Sequence, residues 1–371
     1  MATNNYRYAG AKPVQMGTGN TIPIANTSGV EGESIIVLGT DNTIYVDAGG
    51  DLPRNCYVLG RGNEVSGNCS GSVILGESHD VDCRWVTIGG YSNDLDSSAD
   101  GAWGSTMMGR SNTMQKGGDG TVMMGYGNTL SSGGATSTDH DANTVLGNSV
   151  EHYGAGTGGL FAGYFNMSGK FGQTWDIGPG CLAAGYINKL YGWNGTIIGD
   201  TNKLGVTGNR NEGRSGLAMG RQVWGKYAGG LTFGGGAHSA VGDSQSTLAV
   251  AKIQTTDATA TELLFGDGSN THRAIVANDT TAVFEALIVG RQTDADDNSG
   301  AYKIQGAIDN NANTVALVGT PSITTIGEDT AGWAVSAAAD DTNKSLKLIV
   351  TGAAGDAVNW TGQLNIIEVT G

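Results

Sequence analysis

Two patterns of apolar and polar positions divide the chain. From Val37 to Gly234, short apolar runs end on a glycine and are followed by polar residues. They read VLG at Val37–Gly39 and at Val58–Gly60, VILG ending at Gly76, VTIG at Gly89, TMMG at Gly109 and VMMG at Gly125. TVLG at Gly147, LFAG at Gly163, LAAG at Gly185, TIIG at Gly199, LAMG at Gly220 and LTFG at Gly234 follow. Asparagine stands three residues after the glycine in seven of these twelve copies: Asn42, Asn63, Asn112, Asn128, Asn166, Asn188 and Asn202. From Gly76 onward most glycine-to-glycine intervals alternate between 13–16 and 20–22 residues, so a short and a long coil make a pair. A recurrent unit of this size predicts a solenoid. Each apolar run is too short for a helix and predicts a short strand. The glycine supplies a backbone conformation other residues resist, at the corner where the chain turns. The asparagine is expected to tolerate the left-handed region and to bond its own backbone. The polar stretches between copies, such as Ser131–Asp141, read as loops.

The grammar changes near Thr255. Longer runs with alternating character follow, among them AVFEALIVGRQ from Ala282, AYKIQGAIDN from Ala301, SLKLIVTG from Ser345 and QLNIIEVT from Gln363. Turn pairs such as Asp267-Gly268, Asn310-Asn311 and Gly355-Asp356 separate them. Eight or more short strands at this spacing predict an antiparallel β-sandwich. Ala237–Gln254 reads as a connector. Residues 1–34 are polar, with Pro13 and Pro23, and contain two short extended pieces, PVQM and TIPIAN. The expected fold is therefore all-β: an N-terminal segment (1–34), a glycine-rich parallel β-roll or β-helix solenoid (35–254), and a C-terminal antiparallel β-sandwich (255–371).

Composition narrows the class. Glycine supplies 63 of 371 residues, 51 of them before residue 255, while proline supplies only 5. That excludes collagen, which needs both residues in a strict period. With 39% hydrophobic and 15% charged residues, simple disorder is also excluded. No run approaches the roughly 20 apolar residues that span a bilayer, so no membrane insertion is expected. The first thirteen residues lack an apolar stretch, so no secretion signal is expected either. Net charge is −15, and residues 255–371 contribute 15 acidic against 5 basic residues. No basic face is offered to phosphates, so nucleic acid is not an expected partner. Cys56, Cys69, Cys83 and Cys181 form no metal-binding spacing. The first three lie within 28 residues, which allows a disulfide, although small buried thiols suit them as well.

The apolar-strand, glycine, polar-turn units over residues 35–236 resemble the head repeats of trimeric autotransporter adhesins. Similar glycine-rich parallel stacks occur in bacteriophage tail fibres and tailspikes, and the closing SLKLIVTGAAGDAVNWTGQLNIIEV resembles the end domain of many such proteins. The adhesin side of the likeness would bring a secretion signal, a heptad stalk and barrel strands, none of which the sequence is read to carry. The resemblance thus implies a homotrimeric virion fibre, assembled in the host cytoplasm and attached through its N-terminus to a tail or capsid protein. It implies attachment to host surface polysaccharide. A head-decoration or capsid fibre, a polysaccharide-cleaving tailspike and a cellular adhesin stand as alternatives.

Candidate chemistry is sparse. Paired carboxylates could cleave glycosidic bonds, and Asp94, Asp96, Asp100, Asp119, Asp139, Asp141 and Asp176 lie in polar, glycine- and serine-rich stretches of the solenoid. Solvated turn residues are the simpler reading, and no catalytic residue is assigned. Asp139-His140-Asp141, Gly117–Gly120 and Thr293–Asn298 offer oxygen or nitrogen donors but match no full metal loop. No metal and no cofactor are expected. Aromatic rings can stack on sugars. Tyr126, Tyr164 and Tyr186 each follow a corner glycine and are expected to line one edge of the stack. In the C-terminal domain Trp333, Trp360 and Tyr302 are the carbohydrate-binding candidates, with core packing as the other reading. The loops Gly266–His272, Thr293–Gly300 and Ala338–Lys344 are rich in groups that bond sugar hydroxyls.

Overall fold

The computed structural model describes residues 14–22, 35–45, 54–66, 69–82, 84–96, 104–115, 120–131, 142–153, 158–168, 180–191, 194–205, 213–266, 272–294, 298–329 and 332–371. Among these there is no helix: the chain is all-β, with the coils of a parallel β-roll followed by antiparallel sheets. It divides into two compact units, Met1–Ile187 and Asn188–Gly371.

In the first unit each copy of the repeat forms one five-residue strand. Ile36–Thr40, Tyr57–Arg61, Val73–Glu77, Thr87–Tyr91, Thr106–Arg110, Val122–Tyr126, Thr144–Asn148, Leu160–Tyr164 and Leu182–Tyr186 pair in parallel, glycine opposite glycine. The second residue of each strand points inward and is fully buried, as at Val58, Ile74, Met107 and Phe161. A short second strand in each coil contributes the facing column, including Ile44, Val65, Leu95 and Leu130. The core is thus a thin apolar seam, and it adapts to bulk. The coil with Phe161 carries small Ser168 in its second strand, and the His152 ring stacks on Phe161 at 4.5 Å.

The corner glycines are required by two effects. At Gly125 φ is +127°, and an added Cβ would lie 1.8 Å from the carbonyl oxygen of Gly147 on the next coil. Only a residue without Cβ fits so close to the neighbouring backbone. The register also moves one corner. Gly90, not Gly89, stands opposite Gly76 and Gly109. The stack begins earlier than its apolar triplets suggest: Val14–Met16, inside the segment set apart as N-terminal, pairs in parallel with Ile36–Thr40. The remainder of residues 1–34, apart from 17–22, lies outside the described residues.

The asparagines bond their own turn as expected, Asn112 Nδ2 donating to Met108 O at 3.2 Å and Asn128 Nδ2 to Met124 O at 3.1 Å, but they are not the left-handed residues. The left-handed residue is the one before them, as at Asp41, Ser92 and Ser111. The asparagine side chain is buried and also bonds the next coil. Asn112 Nδ2 donates to Gly125 O at 3.1 Å, while its Oδ1 accepts from the backbone N–H of Asn128 at 3.1 Å and from Asn128 Nδ2 at 3.0 Å. Asn20, Asn42, Asn63, Asn93 and Asn128 take equivalent positions in this ladder. His79 replaces one rung: its Nδ1 accepts from the Asn93 N–H at 3.2 Å and its Nε2 lies 3.1 Å from Leu75 O. Accepting at Nδ1 puts the ring proton on Nε2, a neutral tautomer. Burial accordingly holds the His79 pKa below its ordinary 6.5.

The second unit starts with the same motif. Thr196–Asp200, Leu217–Arg221 and Leu231–Gly235 pair in parallel, and Asn188 and Asn202 continue the ladder bonding. Leu231–Gly235 then pairs antiparallel with Ser244–Thr255, a strand that ends at the position where the composition changes. Ser244–Thr255 pairs along its length with the last strand, Val358–Thr370, which also pairs with Thr280–Gln292. Ser299–Asn311 and Ser322–Glu328 extend this sheet. A second sheet centres on Ser345–Thr351, with Thr261–Glu262, Ala274–Ile275 and Ala334–Asp340. Phe265, Phe284, Ile304, Leu348, Trp333 and Trp360 belong to the core they share. Lys226 and Glu368, both buried, form an ion pair at 2.9 Å, and Gln245 also donates to Glu368.

Candidate functional site

The three aromatic candidates of the C-terminal sheets do not form an open platform. Tyr302, Trp333 and Trp360 are 2%, 5% and 1% exposed. Trp360 meets Trp333 edge-to-face with centroids 5.2 Å apart, and Tyr302 lies 6.3 Å away. Two of the three polar ends have protein partners: Trp360 Nε1 donates to Thr255 Oγ1 at 2.9 Å and Tyr302 OH to Glu328 Oε2 at 2.7 Å, while Trp333 Nε1 is buried without one among the described residues. Burial, and next the bond to Glu328, raise the Tyr302 pKa. The assignment of these rings to carbohydrate binding is therefore corrected: stacking on a sugar needs an open ring face, and these rings fill the core.

The other candidates disperse. Asp94 stands in register with Asp80 on the second sheet of the first unit. Asp100, Asp119, Asp139, His140, Asp141 and Asp176 lie outside the described residues, as do Cys83 and the centres of the loops 266–272 and 293–300. Asp294 Oδ2 accepts from the Ala357 N–H at 3.1 Å, a loop-closing bond. Among the described residues, no three His, Cys, Asp or Glu side chains gather as a metal site would require. Cys56 is a buried free thiol whose pKa burial raises. Cys69 Sγ lies 3.0 Å from Val81 O.

The stack brings together what the linear sequence scatters. Because coils pair glycine to glycine, the residue after each corner glycine falls in one outward column. In the first unit this column runs Tyr91, Arg110, Tyr126, Asn148, Tyr164, Tyr186. The four tyrosines are 38–48% exposed. The Arg110 guanidinium lies over both neighbouring rings, 5.3 Å from the Tyr91 centroid and 5.7 Å from that of Tyr126. Tyr164 and Tyr186 stack at 5.2 Å with planes 5° apart. Tyr126, Tyr164 and Tyr186 share an edge as expected from their place after glycine. Tyr91 and Arg110 join that edge only through the observed register. Tyr91 was hidden by the choice between two adjacent glycines, and Arg110 has meaning only between its two neighbours.

A second column, two residues earlier, is apolar and also points outward. It includes Leu59, Leu75, Met108, Met124 and Leu146 in the first unit. Leu59, Leu75, Met124 and Leu146 are 36–42% exposed. In the second unit Ile198, Met219 and Phe233 continue the same pattern. There Met219 and Phe233, with Ser246, Val283, Ile367 and Val369, line an open groove of 860 Å³. The outward column itself is apolar, and such a face favours a partner surface that excludes water.

No protein-family model matches the chain, and no curated protein matches it in sequence.

Proposed function

We propose that the chain is the subunit of a homotrimeric virion fibre of a tailed phage, and that it attaches the particle to polysaccharide on the host surface. The N-terminal segment serves as the joint to a tail or capsid protein, and the coils form the body that carries the binding sites. The observation that carries this reading is the outward apolar column, repeated coil after coil. Leu59, Leu75, Met124 and Leu146 have no role in one chain's core, and a large open apolar surface is unfavourable for a protein in water. A partner that covers it must present a matching surface at the same repeat distance. Another copy of this chain does so, and closed symmetry uses up every such face. The three-fold number comes from the resemblance of the repeats to those of trimeric fibres and adhesins. Copies joined in this way hold several weak glycan sites on one body, which raises avidity through effective concentration.

Light scattering of the native protein tests the assembly. The expected mass is that of three 37.8 kDa chains, and the double variant Met124→Glu, Leu146→Glu should shift it toward one chain. A wild-type mass of a single chain would overturn the reading. Adsorption of the labelled protein to a panel of bacterial cells tests attachment, with loss after enzymatic removal of surface polysaccharide as the expected result.

A further inference from the structure

We propose that the outward column Tyr91–Arg110–Tyr126–Asn148–Tyr164–Tyr186 is the track on which the protein binds a linear polysaccharide bearing carboxylates at intervals. This deepens the attachment reading above and rests on it. The first argument is geometric. Paired strands lie about 4.8 Å apart, close to the length that one pyranose adds to an extended chain. A polysaccharide laid along the column therefore meets one side chain per sugar without losing register. A helical peptide, advancing about 1.5 Å per residue, has no such match.

The second argument is chemical. With ring faces turned to each other or to Arg110, the tyrosines offer a sugar their exposed edges and their hydroxyls, which donate to and accept from sugar hydroxyls. The stacking of Tyr164 on Tyr186 and the two rings around Arg110 hold these groups in fixed positions, so little side-chain freedom is left to lose on binding. Asn148 adds an amide donor and acceptor.

The third argument is charge. The same column contains Arg61, but it pairs with Glu77 on the adjacent coil. In the second unit Arg221 pairs with Asp200 at 3.3 Å. Arg110 has tyrosine on both neighbouring coils. Its guanidinium is flanked by rings rather than carboxylates, and its planar fork matches a ligand carboxylate. The chain's net charge of −15 disfavours a densely anionic polymer. One acidic sugar among neutral ones fits both facts: the carboxylate at Arg110, the neutral sugars along Tyr126, Asn148, Tyr164 and Tyr186.

Biolayer interferometry with the full-length protein on immobilised hyaluronan and gellan, the latter with one glucuronate in each four-sugar repeat, tests this, with the carboxyl-reduced form of each as the neutral control. At least one acidic polymer should bind, and carboxyl reduction or Arg110→Gln should weaken binding by about tenfold or more. Arg110→Lys should retain part of it. Tyr126→Ala and Tyr164→Ala should each weaken it several-fold, with melting temperature and oligomer mass unchanged. Binding indifferent to Arg110→Gln, no binding to either acidic polymer, or a change of oligomer mass in Arg110→Gln would overturn the proposal; the last would make the column a contact between copies. Cell adsorption separates this from the broader reading. Wild type and Arg110→Gln adsorbing equally would remove the track and leave attachment standing, whereas a wild type that adsorbs to no cell would remove the attachment reading itself.

Discussion

Glycine does opposite work in the coils of the first unit and in the antiparallel sheets of the second. In the coils it sits at corners. Gly60 has φ +141°, and a Cβ there would fall 1.6 Å from the next coil's Gly76 oxygen. In the antiparallel sheets it sits inside strands as a socket for rings. A Cβ at Gly290 would meet the Trp360 ring at 2.6 Å, and one at Gly306 would meet Phe284 at 2.7 Å. The two regions also hold themselves together differently. The coils have a thin apolar seam reinforced by a buried asparagine ladder, where each side chain closes bonds for its neighbour. The sandwich relies on a wide core of large rings and on strands of up to 13 residues. The lesson is that a narrow solenoid derives its specificity from backbone shape and polar bonding repeated in register, while a sandwich derives it from volume.

Four substitutions would break or sharpen this contrast. The largest effect is expected at Trp360, where alanine leaves a cavity among Trp333, Tyr302 and Gly290; unfolding measurements should show a loss of about 3–5 kcal/mol. Gly125→Val follows in the coils. It combines an unfavourable backbone with a clash on Gly147, for an expected loss of about 3 kcal/mol; an unchanged denaturation midpoint would show that the corner is not rigid. Asn112→Leu should cost about 2 kcal/mol, because it leaves the buried Asn128 N–H and the Gly125 carbonyl without their side-chain partner. If the coils depended on volume alone, this nearly isosteric apolar exchange would be neutral.

The smallest effect concerns pH. His79 is held neutral in the fold, with its pKa below the ordinary 6.5. The unfolded chain therefore takes up the proton first as pH falls. The stability His79 contributes is full above about pH 6.5 and is lost as pH drops below it toward the folded pKa. Asp243 behaves at lower pH. Its carboxylate accepts from the N–H groups of His238, Ser239 and Ala240, and its pKa is lowered to about 2. Its contribution is present above the ordinary 3.8 and is lost as pH falls through about 2. Melting curves of His79→Asn, which restores the ladder residue, should lose the upper step and keep the lower. An upper step that persists in His79→Asn would place the titrating group elsewhere.

The candidate site shows how far a linear reading reaches. Trp360 was readable as core. Val358, Trp360, Gly362, Leu364 and Ile366 alternate with Asn359, Thr361, Gln363 and Asn365, so the ring falls on the apolar side of a strand. Trp333 was not, because the small residues after it, Ala334, Ser336 and Ala337–Ala339, do not mark an inner face. Its enclosure follows from the neighbouring Trp360.

What the sequence determined by itself was the coil: short strands, corner glycines and a recurring asparagine. These are local demands, since a positive φ selects glycine and a period-2 pattern selects a strand with one buried face. What only the tertiary structure decided was register and facing. The polar stretches between strands vary in length, so linear spacing does not say which glycine of the pair Gly89-Gly90 turns the corner. Stacking does, by placing backbone against backbone. Once that register is set, Asn93 enters the ladder, Tyr91 joins Arg110 and Tyr126 in one column, and the asparagines bond the next coil as well as their own turn. These are contacts between residues that the chain separates by a whole coil, and only the paired strands bring them together.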